Sequence, residues 1–217
     1  TIVDFDETAA LAYMESLKSD RVHFEYADLA DGKSVAELFD RLQTRWSRLD
    51  VLVNNAGTTH LPALLEDVSE KDFDKVFAVN AKSVYYTSKF AVPWMKQQAA
   101  GAIVNIASTA ALSPRPHLTW YNASKGWMVT ATKSMAIELA SERIRVNAIC
   151  PVAGETPLLA SFMGSDTPET REKFLSSIPL GRFSTPKDIA ATALYLASDD
   201  AAMITGVSLE VDGGRCI

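Results

Sequence analysis

The chain has 217 residues, 47% of them hydrophobic and 22% charged, with a formal net charge of −6. That composition suits one compact α/β domain over 1–217, and the acidic balance argues against nucleic acid or an anionic membrane as the main partner. No apolar run reaches the ~18 residues of a membrane span and no signal peptide is visible. Two cysteines, Cys150 and Cys216, suit reduced thiols in a cytoplasmic protein better than a disulfide framework.

Apolar strand-like runs alternate with helical periods, the pattern of a parallel sheet covered on both faces. Strands are predicted at 1–3, 22–26, 51–53, 102–107, 144–150 and 207–211. Ser69, with Asp72 three residues on, resembles a capping box and opens a helix predicted to reach about Gln97. A helix beginning near Trp120 puts Tyr121, Lys125, Met128, Thr132 and Met135 at spacings that share faces. Pro186 suits the first turn of another helix, ending near Ala197. The stretch 152–179 lacks strong periodicity and mixes Leu158, Leu159, Phe162 and Met163 with Gly164, Ser165, Asp166 and Pro168. A lid or binding segment is expected there, with an ordinary short helix on the core as the plainer alternative.

Tyr121 and Lys125 stand four apart in Tyr-Asn-Ala-Ser-Lys, with Ser108 thirteen residues before the tyrosine. Residues four apart share a helix face, so the ammonium can sit near the phenol and favour its ionised form. A tyrosine otherwise titrates near pH ~10 and needs such help to move protons near neutrality. The spacing alone is common, since Tyr85 and Lys89 repeat it within the 69–97 helix, where packing or an interface explains them. Tyr121 differs in following a strand that ends at a serine. Arg115 and His117 lie between Ser108 and Tyr121 and could meet an acidic substrate group, although exposed loop charges are usually solvated. His23, His60 and His117 have no ligand spacing, so no metal is expected.

The ordered series Asp28-Leu29, Asn54-Asn55-Ala56-Gly57, Asn80, Asn105-Ile106-Ala107-Ser108, Tyr121 to Lys125, Ile144-Arg145-Val146-Asn147, Pro151 with Thr156, and Val211-Asp212-Gly213-Gly214 resembles the short-chain dehydrogenase/reductase family over nearly the whole chain. The resemblance implies a doubly wound parallel sheet of Rossmann type and a nicotinamide-dependent oxidoreductase interconverting a secondary alcohol and a ketone. It implies Tyr121 as general acid/base and Ser108 as hydrogen-bond donor to the substrate oxygen. Lys125 would lower the tyrosine pKa and hold the nicotinamide ribose, and the backbone of Asn80 would support a water chain that reprotonates Tyr121. The same resemblance places Asp28 and Leu29 at the adenine, Asn55, Ala56 and Gly57 at the adenosine ribose, and Pro151, Val152 and Thr156 at the nicotinamide end.

Asp4 would accept hydrogen bonds from the ribose hydroxyls and repel a 2′-phosphate, which favours NAD over NADP; helix capping is its other job, and Asp6 competes for either. Val152 stands where the family usually has glycine, so a reshaped nicotinamide pocket is expected. The segment 152–182 would close over a small alcohol or ketone substrate, and the helices around Asn80 and Tyr121 would form a dimer or tetramer. One part is missing: the first glycine is Gly32 and no G-x-G occurs, so the opening strand, Gly-rich turn and helix of the family are expected to be absent. In the strand order 3-2-1-4-5-6 this leaves a gap through the sheet, and the sequence is expected to be an incomplete copy of a longer protein that folds poorly alone. Two other readings then stand: a hydrolase using Ser108 with Tyr121 and Lys125 as base, or a cofactor-free binding or assembly subunit built on the helices carrying Trp94 and Trp127.

Overall fold

The structure, a computed structural model, describes all 217 residues. Six strands alternate with helices, and every strand pair is parallel. They form two sheets rather than one. β1 (Ile2–Asp4) pairs with β2 (Phe24–Tyr26), and β3 (Val51–Asn54), β4 (Gly101–Ile106), β5 (Ile144–Pro151) and β6 (Ser208–Val211) follow in spatial order. The facing edges of β1 and β3 carry no partner, so the gap anticipated from the strand order lies between them. Val51 and Val53, 39% and 44% exposed, contrast with the fully buried Ile103, Val104, Val146 and Ile149 of the two central strands.

Alternation along β4 and β5 splits the core into two layers. Ile103 and Val146 pack with Met95 of α4 (Ser83–Gln97) and Ala136 of α5 (Thr119–Leu139). Val104 and Ile149 pack with Leu196 of α8 (Pro186–Ala197) on the opposite face. α1 (Glu7–Leu17) begins at Asp6, whose carboxylate accepts from Ala9 N. In α2 (Gly32–Arg45) the spacing Val35, Leu38, Phe39, Leu42 makes one buried stripe, which meets Ala91 and Trp94 of α4. Thr185 and Asp188 form a full capping box on α8, and Arg182 grips the same carboxylate at 2.7 and 3.0 Å. These bonds hold the Asp188 carboxyl well below the usual range. No helix is long and apolar enough to cross a membrane.

One expectation needs correction. The helix predicted over 69–97 is α3 (Glu70–Phe77), then a π-helical turn at Ala78–Lys82, then α4. Its start is half a capping box: Ser69 Oγ accepts from Asp72 N, but the Asp72 carboxylate takes the Ser69 hydroxyl instead of its backbone N–H. The aperiodic stretch 152–179 holds two short helices, α6 (Leu158–Met163) and α7 (Pro168–Leu175). They gather Leu159 and Met163 with Val152, Ile178 and Phe183 into a small core of their own.

Candidate active site

A cleft of about 1650 Å³ runs along the carboxyl ends of the strands and into the groove between β1 and β3. That exceeds the ~300–1000 Å³ of a ligand pocket because site and groove are continuous. Its wall includes Asp4, Asp28 and Leu29 at one end, Asn55, Ala56 and Gly57 midway, and Ser108, Tyr121, Lys125, Pro151, Val152 and Thr156 at the other. Every predicted site residue therefore lines one cleft except Asn80, which lies behind it.

At the tyrosine end, the chain leaving β4 delivers Ser108, and the first two turns of α5 deliver Tyr121 and Lys125. Ser108 has extended backbone, and its hydroxyl caps the short turn that follows by accepting from Ala110 N at 3.1 Å. Tyr121 is buried against Ala110 and Leu118, with Phe162 of α6 edge-on to its ring at 5.0 Å. Burial pushes its phenol up to about 12, and the Ser108 hydroxyl acts in the opposite sense. Lys125 Nζ donates to Ile106 O at 2.8 Å, and burial draws its ammonium down to about 8. The expected charge effect of Lys125 on the phenol is thus not the dominant one here: the ammonium is turned to a carbonyl, and desolvation keeps Tyr121 protonated. Cys150, packed beside them, is held protonated at neutral pH by a pKa near 11, again through burial.

Asn80 sits in the π-helical turn, fully buried. Its side chain accepts from Thr58 N at 2.8 Å and donates to Thr58 O and Ser124 Oγ, each at 2.9 Å. Ser124 Oγ in turn donates to Tyr121 O. The side-chain amide therefore fixes the Asn55–Gly57 loop to the turn that carries Tyr121, a role the sequence did not disclose. A second polar set was also missed: Asn54 donates to Asn105, Asn105 to Thr132, and Thr87 to Asn54. The register that pairs Asn54 with Asn105 was the available signal, since two asparagines at matching strand ends meet across a parallel ladder.

At the other end, Asp6 takes the capping role, which leaves Asp4 on the cleft wall with one local bond, from Asp6 N. Asp28 Oδ1 accepts from Ala30 N, and Asp28 N meets Ser34 Oγ. A Cβ on Gly57 would lie 3.4 Å from Lys125 Nζ and 3.6 Å from Asn80 Oδ1, so a longer side chain there would press on the lysine and the asparagine. Acidic acceptors at one end, a turn ending in Gly57 midway and Ser108, Tyr121 and Lys125 on the wall at the other fit the adenosine and nicotinamide ribose ends of a dinucleotide. Val152 is buried in the α6–α7 core, and its carbonyl accepts from Ser184 Oγ. Gly154 is needed two residues on because Ser184 Oγ lies 2.7 Å from where its Cβ would be. Of the two basic residues before Tyr121, Arg115 lines the cleft while His117 is exposed.

A family profile described as enoyl-(acyl carrier protein) reductase matches residues 1–215. The 4-formylbenzenesulfonate dehydrogenase of Comamonas testosteroni is 54% identical over 172 residues, 78% of this chain and 68% of that protein. The 3-oxoacyl-(acyl-carrier-protein) reductase of Thermotoga maritima is 41% identical over 191 residues, 88% of this chain and 75% of that one. Among solved structures, the 3-ketoacyl-(acyl-carrier-protein) reductase from Brucella melitensis complexed with NADH superposes with a TM-score of 0.93 at 43% identity, covering 100% of this chain and 87% of that chain. A parallel α/β fold matched throughout to dehydrogenases and reductases is an oxidoreductase working at CH–OH groups with a nicotinamide cofactor. The chain belongs to the short-chain dehydrogenase/reductase family.

Proposed function

We propose that this chain interconverts a secondary alcohol and a ketone, with NAD as cofactor and Ser108, Tyr121 and Lys125 as the proton-transfer site. The observation that carries the reading is the single cleft joining the acidic edge at Asp4 and Asp28 to the two hydroxyls and the lysine. When bound, the cofactor supplies or accepts the hydride. Tyr121, protonated through burial, gives its proton to the substrate oxygen in reduction and recovers it in oxidation. The Ser108 hydroxyl donates to the same oxygen and stabilises the negative charge that grows there. Lys125 holds the ribose hydroxyls next to that oxygen, and Asn80 positions Tyr121 through Ser124. Asp4, free of capping duty, favours the unphosphorylated ribose of NAD over NADP.

The segment 152–182 acts as the substrate lid, supported by Phe162 resting on Tyr121. A dimer or tetramer forms through α4 and α5, where Tyr85, Trp127 and Ile137 are 53%, 40% and 81% exposed. The free thiols Cys150 and Cys216 support a cytoplasmic location. Fluorescence titration with NADH and NADPH, followed by ketone reduction, tests the reading. NADH is expected to bind the more tightly, and Tyr121→Phe to keep that binding while losing at least about 100-fold in kcat. Equal turnover by Tyr121→Phe would refute the assigned chemistry.

A further inference from the structure

Arg115 is a cation without a counterion at the tyrosine end of the cleft. It lines the cleft wall half-buried. Its guanidinium carbon stands 4.3 Å from the centroid of the Phe174 ring on α7, and one terminal nitrogen donates to Ser177 Oγ at 3.1 Å. None of the seven ion pairs of the chain includes it. Burial chiefly, and then the like charge of Arg215, lower its pKa to about 10. Arg215 has no relief to offer, for its own Nε is buried and unbonded. The Asp212 carboxylate accepts from the backbone N–H groups of Gly214 and Cys216 and acts on Arg215, not on Arg115. A partly desolvated guanidinium under a like charge is unfavourable unless something negative joins it, and Arg115 on the cleft wall offers a planar donor fork that matches a carboxylate or sulfonate.

The backbone ties this fork to the reaction centre. Asn122, the residue after Tyr121, donates from Nδ2 to Arg115 O at 2.8 Å. Phe162, over the Tyr121 ring, and Phe174, under the guanidinium, provide apolar surface at the same end of the cleft.

We propose that Arg115 sets substrate specificity by pairing with an anionic group on the substrate, so that the natural substrate is a small carbonyl or alcohol compound with an apolar, ring-sized body and a carboxylate or sulfonate at its far end. This rests on Tyr121 marking where the reacting oxygen sits. It separates into two measurements on the full chain. The first compares kcat/KM for reduction of 4-acetylbenzenesulfonate and of acetophenone, which differ only in the anion. The wild-type protein is expected to favour the sulfonate by about 10- to 100-fold, the size of a charge-assisted hydrogen bond. Arg115→Met is expected to bring the ratio close to one, chiefly through KM, and Arg115→Lys, which keeps the charge but not the fork, to retain part of it. The second is calorimetric titration with benzenesulfonate, which cannot react; Arg115→Met is expected to weaken its binding at least about 10-fold. An unchanged ratio in Arg115→Met, or equal benzenesulfonate affinity in both proteins, overturns the proposal. If neither ketone is reduced but benzenesulfonate affinity still depends on Arg115, the anion site stands and the assigned reaction falls.

Discussion

Replacing Lys125 by methionine tests whether burial or charge pairing governs the proposed proton-transfer site. Lys125 is 4% exposed and its ammonium has one protein partner, Ile106 O. Lowering its pKa from 10.5 to about 8 corresponds to roughly 3 kcal/mol of disfavoured charge in the folded state at pH 7. Methionine removes that cost and fills most of the volume, but it leaves the Ile106 carbonyl without a donor, worth about 1 to 2 kcal/mol. Lys125→Met is therefore expected to be more stable than wild type by about 1 to 2 kcal/mol at pH 7, while ketone reduction is lost. The sign depends on pH. Between about 8 and 10.5 the unfolded chain holds the lysine proton and the folded chain does not, so the wild type gains stability on this account as pH rises. The variant has no such group, and by pH 10 its advantage is expected to vanish. Tyr121 is present in both proteins, stays protonated in the folded state up to pH 10 and cancels in the difference. Urea unfolding at pH 7 and pH 10 makes the comparison. A variant less stable than wild type by the same amount at both pH values would refute the argument, since the ammonium would then be stabilised where it lies.

Two further outcomes concern the framework. Asn80→Ala strips partners from the N–H and the carbonyl of half-buried Thr58 and from Ser124, and is expected to cost about 2 to 4 kcal/mol in urea unfolding; Asn80→Asp, which can still accept from Thr58 N, is expected to recover part of the loss. Gly154→Ala drives a Cβ to 2.7 Å from Ser184 Oγ and is expected to cost about 1 to 3 kcal/mol. Combining it with Ser184→Ala should restore some of that, and strictly additive costs would show that the hydroxyl is not what crowds the glycine.

The strands were legible because β4 and β5 are apolar on both faces, as a doubly covered parallel sheet demands, and their predicted limits fall within a residue of those observed. The gap was legible from a missing motif, the absence of any G-x-G turn. The π-helical turn was not, because its cause is tertiary: Asn80 is drawn to Thr58 and Ser124, 22 and 44 residues away. Periodicity placed Tyr121 and Lys125 on one face but could not show that Ile106 O would claim the ammonium, or that desolvation would outweigh its charge. The Arg115–Phe174 stack joins positions 59 apart across an aperiodic stretch, so sequence alone left that arginine indistinguishable from a solvated loop charge.

The split between the two sheets also makes cofactor affinity a two-part quantity. The side-chain hydrogen bonds and ion pairs from the β1–β2 unit to the rest end on α2 or its C-cap, at Ser34, Arg41, Arg45 and Trp46. Beyond these, only side-chain packing such as Val3 on the α2–α4 core, with Phe39 against Phe90, joins the unit to the rest. A unit without a shared backbone ladder opens at its own free energy, below that of β4 and β5. A ligand spanning Asp4 and Lys125 must find both units docked, so its apparent dissociation constant is the intrinsic one divided by the docked fraction. Substitutions in the α2–α4 contact, whose Leu38, Phe39, Leu42 and Trp94 floor the groove between β1 and β3, are thus expected to weaken dinucleotide binding while leaving Asp4, Asp28, Ser108, Tyr121 and Lys125 in place.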